Sequence, residues 1–118
     1  MTRVIPNPVR LTVASTASSN KVNVKIYDGE DYLEGAVGRV KFVGLYQNGV
    51  EIGSVYTDGT TIRINNVSVL SVIYTRAYTF SLQLRTNDLP NGDYILIIRY
   101  TKDKVSKNYE VPIRIELT

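Results

Sequence analysis

The stretch Leu89-Pro90-Asn91-Gly92-Asp93-Tyr94, running into Ile95-Leu96-Ile97-Ile98, narrows the fold more than any other part of this chain. Proline presets φ for the second position of a turn, and Gly92 takes a positive φ without steric cost. The chain therefore reverses here and re-enters a sheet. Side chains alternate across a strand, so Tyr94, Leu96, Ile98 and Tyr100 share one face, and Ile95, Ile97 and Arg99 the other. Two apolar faces mean a central strand covered on both sides, or one covered face and an outer contact patch.

The rest of the chain repeats this grammar. Residues 1–8 carry Pro6 and Pro8, which forbid a helix and favour an extended arm. Strands are expected over 9–13, 21–27, 37–46, 50–56, 60–64, 67–74, 78–85, 94–101 and 108–117. In the second of these Val22, Val24 and Ile26 face inward. In the seventh Tyr78, Phe80, Leu82 and Leu84 do so, and in the last Tyr109, Val111, Ile113, Ile115 and Leu117. Reversals fall at the polar segment Ser15 to Asn20, at Asp28 to Asp31, and at Asn48-Gly49, Asp58-Gly59, Asn65-Asn66 and Lys102-Asp103-Lys104. Gly38 and Gly44 mark a bulge or a close backbone approach. Pro112 cannot donate to a ladder, which puts the last strand at an edge or leaves its N–H side free. No segment keeps a helical period. Turn signals recur roughly every 8–12 residues, as in an all-β sandwich or barrel.

At 118 residues the chain fits one domain, expected over 9–118 behind the arm 1–8. It has no cysteine and no histidine, which excludes disulfides, thiolate metal sites, Ser-His-Asp and Cys-His catalysis and histidine-bound zinc. A net charge of +3 is too small to argue for nucleic acid, and Lys102, Lys104 and Lys107 read as a solvated loop. Residues 1–20 hold no apolar signal-peptide core, and no apolar run reaches membrane-spanning length. The expectation is a cytoplasmic protein or a virion component released by lysis, with neither nucleic acid nor membrane as partner.

The acidic run Asp28, Glu30, Asp31 and Glu34 is the best place for a metal, because hard oxygen ligands on a Gly-containing loop suit calcium. Its spacing does not match an EF-hand, so a solvated acidic turn is the stronger reading and no cofactor is assigned. Taken as a glycosidase pair, the same carboxylates lack any indication of a cleft. Nine tyrosines without a tryptophan form a skewed aromatic set. Tyrosine suits binding surfaces, and it is also a good strand former. Tyr78, Tyr94 and Tyr109 read as core; Tyr32, Tyr46, Tyr56 and Tyr74 are candidates for the surface. The protein-contact candidates are Ile95 and Ile97 with Pro112, and the arm residues Val4, Ile5 and Pro6, which can add to a neighbour's sheet edge.

The turn Leu89 to Tyr94 resembles the tyrosine corner of immunoglobulin-like and fibronectin-type sandwiches, where the tyrosine hydroxyl bonds back to nearby backbone. The segment Tyr27 to Ala36 resembles the opening of bacterial immunoglobulin-like modules. Residues 80–117 resemble the final strands of such modules in phage tail, baseplate and capsid-decoration proteins. The resemblance implies an immunoglobulin-like antiparallel β-sandwich of seven to nine strands. It implies a non-enzymatic structural, assembly or adhesion module, a small phage or virus particle component working through protein contacts as a homo-oligomer or within a larger particle. A carbohydrate-binding module or a domain of a bacterial surface protein is the alternative, with a glycan as partner and exposed coplanar tyrosines as its requirement.

Overall fold

The computed structural model describes residues 2–13, 21–76, 78–86 and 89–117. The turn expected over Ser15 to Asn20 and the inward setting of Leu117 fall outside what is described. Among the described residues eleven strands follow in order: β1 (Thr2–Ile5), β2 (Val9–Val13), β3 (Lys21–Asp28), β4 (Asp31–Tyr32), β5 (Val40–Gln47), β6 (Val50–Val55), β7 (Thr61–Ile64), β8 (Val67–Arg76), β9 (Thr79–Leu84), β10 (Gly92–Lys102) and β11 (Val105–Leu117).

Ten of them form one continuous ladder in the order β1-β3-β9-β8-β7-β6-β5-β10-β11-β2, with β4 attached to β3. All pairs are antiparallel except β11 with β2, which is parallel. The sheet curls until β2, at one end, lies beside β3 and β9 at the other, which nearly closes a barrel. This overturns the expected immunoglobulin-like sandwich of seven to nine antiparallel strands and the family resemblance that implied it. There is one mixed sheet, not two facing ones.

The reason lies in β6. Its first part bonds to β5, with Leu45 opposite Gly53 and Gln47 opposite Val50, and its last part bonds to β7, with Ser54 opposite Arg63. The strand changes partner at Gly53. A Cβ there would stand 2.6 Å from Cγ2 of Ile62, so only glycine lets β7 come this close. Residues that a sandwich would place on separate layers are thus joined by backbone bonds.

The local turn chemistry follows the sequence. Asn48 (φ 52°) and Gly49 (φ 77°) form a two-residue reversal with both residues left-handed. Asn65 and Asn66 do the same between β7 and β8, and Asp103 and Lys104 between β10 and β11. Gly44 sits beside a bulge, since Ile97 faces Gly44 while Ile98 faces Phe42. Gly38 lies instead in the turn before β5.

The core fills the inside of the curl. Leu11, Ile26, Leu45, Ile62, Leu82, Leu96, Ile98 and Ile115 are all fully or almost fully buried, from seven different strands. Tyr94 is buried and its hydroxyl donates to the Pro90 carbonyl at 2.6 Å, the corner bond expected of this turn. That corner is a local device, and here it serves a continuous sheet. Tyr109 is buried as well, but Tyr78 is 52% exposed: it stands in the turn before β9, not within the strand. Strand β9 is covered on both faces. Asn23 accepts from the Ser81 hydroxyl, and Gly35 crosses Thr79 so closely that a Cβ would meet its carbonyl at 2.6 Å.

Candidate functional site

The two ends of the ladder are both supplied by residues 2–13. Among the described residues β1 bonds only to β3, and β2 only to β11. The β2 ladder begins on β11 at Ile113, the residue after Pro112, where a missing N–H costs nothing. From Val105 to Val111 that side of β11 has no strand beside it among the described residues. The outer edge of β1 is equally free. Between these edges the seam opens into a concavity of about 320 Å³, lined by Thr2, Val4 and Asn7 on one side and by Lys107, Asn108, Tyr109, Glu110 and Pro112 on the other.

One carboxylate spans the seam. Asp28, at the end of β3, accepts from the Tyr109 hydroxyl at 2.5 Å and from Lys107 Nζ at 3.0 Å. Those two bonds, the phenol first, hold its carboxyl below the usual range. Burial, and then Asp28 itself, push the Tyr109 phenol up. The pair is a hydrogen-bonded donor and acceptor that ties β11 to the end of β3.

The outer face beside β1 is aromatic and cationic. The register sets Arg3 opposite Tyr27, and Tyr27 opposite Tyr32. The Tyr27 and Tyr32 ring centroids are 3.7 Å apart, and Tyr78 follows 6.2 Å from Tyr32. Arg3 lies 4.7 Å over Tyr27, and Lys25 lies 5.5 Å from the Tyr32 ring. Ile5, 40% exposed, pairs with Lys25 next to this row. Tyrosine and arginine beside an open strand edge are the composition of a protein-contact surface. The rings are tilted by 31° and 48°, which is not the coplanar platform a neutral glycan would use.

The sequence candidates fall in three places. Ile95 has Tyr46 and Pro112 as cross-strand neighbours, so Ile95 and Pro112 do share one outer stripe, half-buried and without the full exposure of a sticky patch. Ile97, also half-buried, lies between Gly44 and Glu110. The stripe ends at a hollow of about 320 Å³ that reaches Pro8. Val4 is buried and points into the core, whereas Ile5 and Pro6 are exposed at the edge. Asp28, Glu30 and Asp31 do not converge: among the described residues no three acidic groups gather around one point. Glu34 is taken by Lys102 at 2.9 Å and Arg39 at 3.1 Å, and Lys102 foremost holds its carboxyl below the usual range. The pairing of Arg3 with Tyr27 escaped the sequence reading, because the register of β1 on β3 is not written in either strand alone.

Comparison with family models, with curated proteins and with solved structures returned no match to this chain. No residue role is therefore carried over from a relative. Among the described residues no helix is long and apolar enough to cross a membrane.

Proposed function

We propose that this chain is a non-enzymatic assembly module, a building part of a larger protein particle such as that of a phage or virus, which works by contacts with other protein chains. The observation that carries the reading is the pair of edges that no described strand covers, β1 and the first half of β11, flanked by Arg3, Tyr27, Tyr32, Tyr78 and Ile5. Free backbone donors and acceptors on a strand are a template for another strand, and the adjoining aromatic row supplies area and orientation. The absence of histidine and cysteine from the sequence fits the same reading.

The test is association of the full chain, followed by light scattering and sedimentation over a wide concentration range, with and without Ile5→Lys. A lysine at the edge disfavours strand pairing while leaving the core untouched. The expected result is concentration-dependent assembly that Ile5→Lys abolishes with no change in melting temperature. A chain that stays monomeric at high concentration and captures no particle or filament overturns the proposal. So does assembly that ignores the edge substitution.

A further inference from the structure

On strands remote from the seam in the ladder order, the hairpin of β6 and β7 presents an arginine without an anion. Arg63 lies over Tyr56, with Cζ 4.6 Å from the ring centroid. Its Nη2 donates to the Asn66 carbonyl at 2.6 Å. Its Nε–H is covered and has no acceptor among the described residues. No carboxylate among the described residues lies within ion-pair distance of it. Glu51 is near in the fold but lays its carboxylate against Gly44. A guanidinium held in place by a ring and a carbonyl, with donors to spare, is preorganised for an oxyanion.

Two hollows adjoin this arginine. One, of about 230 Å³, is lined by Ser54, Tyr56, Asn65 and Asn66; the other, of about 290 Å³, lies across Arg63 along Glu51, Ile52, Gly53 and Ser54, so an anion fits the first and not the second. Asn65 and Asn66 are both exposed in a left-handed turn, and Tyr56 is 47% exposed. Hydroxyl and amide groups beside an aromatic ring match a polyhydroxylated ring, and the guanidinium asks for an acid on it. A neutral sugar leaves that charge unanswered, and an acidic peptide leaves the amides and hydroxyl unused.

We propose that Arg63, laid on Tyr56 and flanked by Ser54, Asn65 and Asn66, is the anchor of a binding site for a carboxylate-bearing saccharide. The acid accepts from the guanidinium, and the ring hydroxyls exchange hydrogen bonds with the two asparagines and Ser54. This site is independent of the assembly edges, so either proposal stands without the other.

The experiment is an NMR titration of the isotope-labelled full chain with trigalacturonic acid, with neutral galactotriose, and with a tri-glutamate peptide. The expected result is that trigalacturonic acid alone shifts the Arg63 Nε–H signal and the Asn65 and Asn66 side-chain amides. Arg63→Gln then weakens binding about tenfold, as loss of a charge-assisted bond does. Arg63→Lys keeps the charge without the planar fork, preserves the spectrum elsewhere, and still weakens binding several-fold. Absence of shifts at millimolar trigalacturonic acid overturns the proposal. So do equal binding of galactotriose or the peptide, or binding that Arg63→Lys and Arg63→Gln leave unchanged.

Discussion

Gly53→Ala tests the account of why the sheet is continuous. The backbone of Gly53 is not left-handed, so alanine fits its conformation. Removing a glycine from the unfolded chain would by itself stabilise the protein by about 0.4–1 kcal/mol. The new Cβ, however, would lie 2.6 Å from Ile62 Cγ2 and 3.3 Å from Ile64 Cγ1, against ordinary carbon contacts of about 3.5–4 Å. Ile62 is fully buried and cannot swing outward. Overpacking of this kind costs about 1–3 kcal/mol. The net expectation is a loss of about 1–2 kcal/mol, read as a lower urea midpoint at unchanged slope. The partner substitution Ile62→Ala removes the methyl that clashes and costs about 2–5 kcal/mol alone. In that background Gly53→Ala should cost nothing or restore some stability, giving a coupling of about 1–3 kcal/mol. If Gly53→Ala matches the wild type, or costs the same in both backgrounds, then close approach at Gly53 is not what lets β6 change partners.

Tyr94→Phe deletes the bond to the Pro90 carbonyl but keeps the buried ring, and since Pro90 is exposed, water can take over its acceptor. The expected loss is about 1 kcal/mol by chemical denaturation, and a loss of several would mean that the corner does more than tie the turn. Lys104→Gly relieves a left-handed lysine (φ 65°) and should stabilise by about 0.5 kcal/mol after the added chain entropy, seen as a higher melting temperature; a lower one refutes the strain. Burial foremost holds the Tyr94 and Tyr109 phenols above their ordinary value, so both stay protonated in the folded chain after they would ionise in the unfolded one. Their contribution is complete below about pH 10 and is lost as pH rises beyond it, so urea midpoints should fall there, and less steeply in Tyr109→Phe. A midpoint flat through that range contradicts the assignment.

The turns were legible because their signals are local. Asn48-Gly49, Asn65-Asn66 and Lys102-Asp103-Lys104 reverse the chain where their residue types tolerate positive φ. The alternation of β10 and β11 also placed Tyr94, Leu96, Ile98, Tyr109 and Val111 on the inside. Alternation reports which side chains face inward, but it does not report whether neighbouring layers join at their edges. That depends on β6 switching from β5 to β7, a pairing choice between segments, and the wrong resemblance filled the gap. Tyr78 failed for a smaller reason: the strand starts one residue later, which leaves the ring in the turn. Arg63 with Tyr56 was within reach. Both flank the Asp58-Gly59 turn, and Tyr56 N–H donates to the Thr61 carbonyl, so residue parity across that hairpin puts Tyr56 and Arg63 on one face.

The parallel pairing of β2 with β11 sets a timetable for the newly made chain. Val9 leaves the ribosome about a hundred residues before its partner Ile113 exists. Throughout that interval the nascent polypeptide shows the hydrophobic Val9 and Leu11 to whatever surrounds it, and contacts so distant in sequence are the slow ones to form. Chaperone dependence during translation should therefore concentrate on the first strands synthesised, and fall away once the segment 113–117 has emerged to receive them.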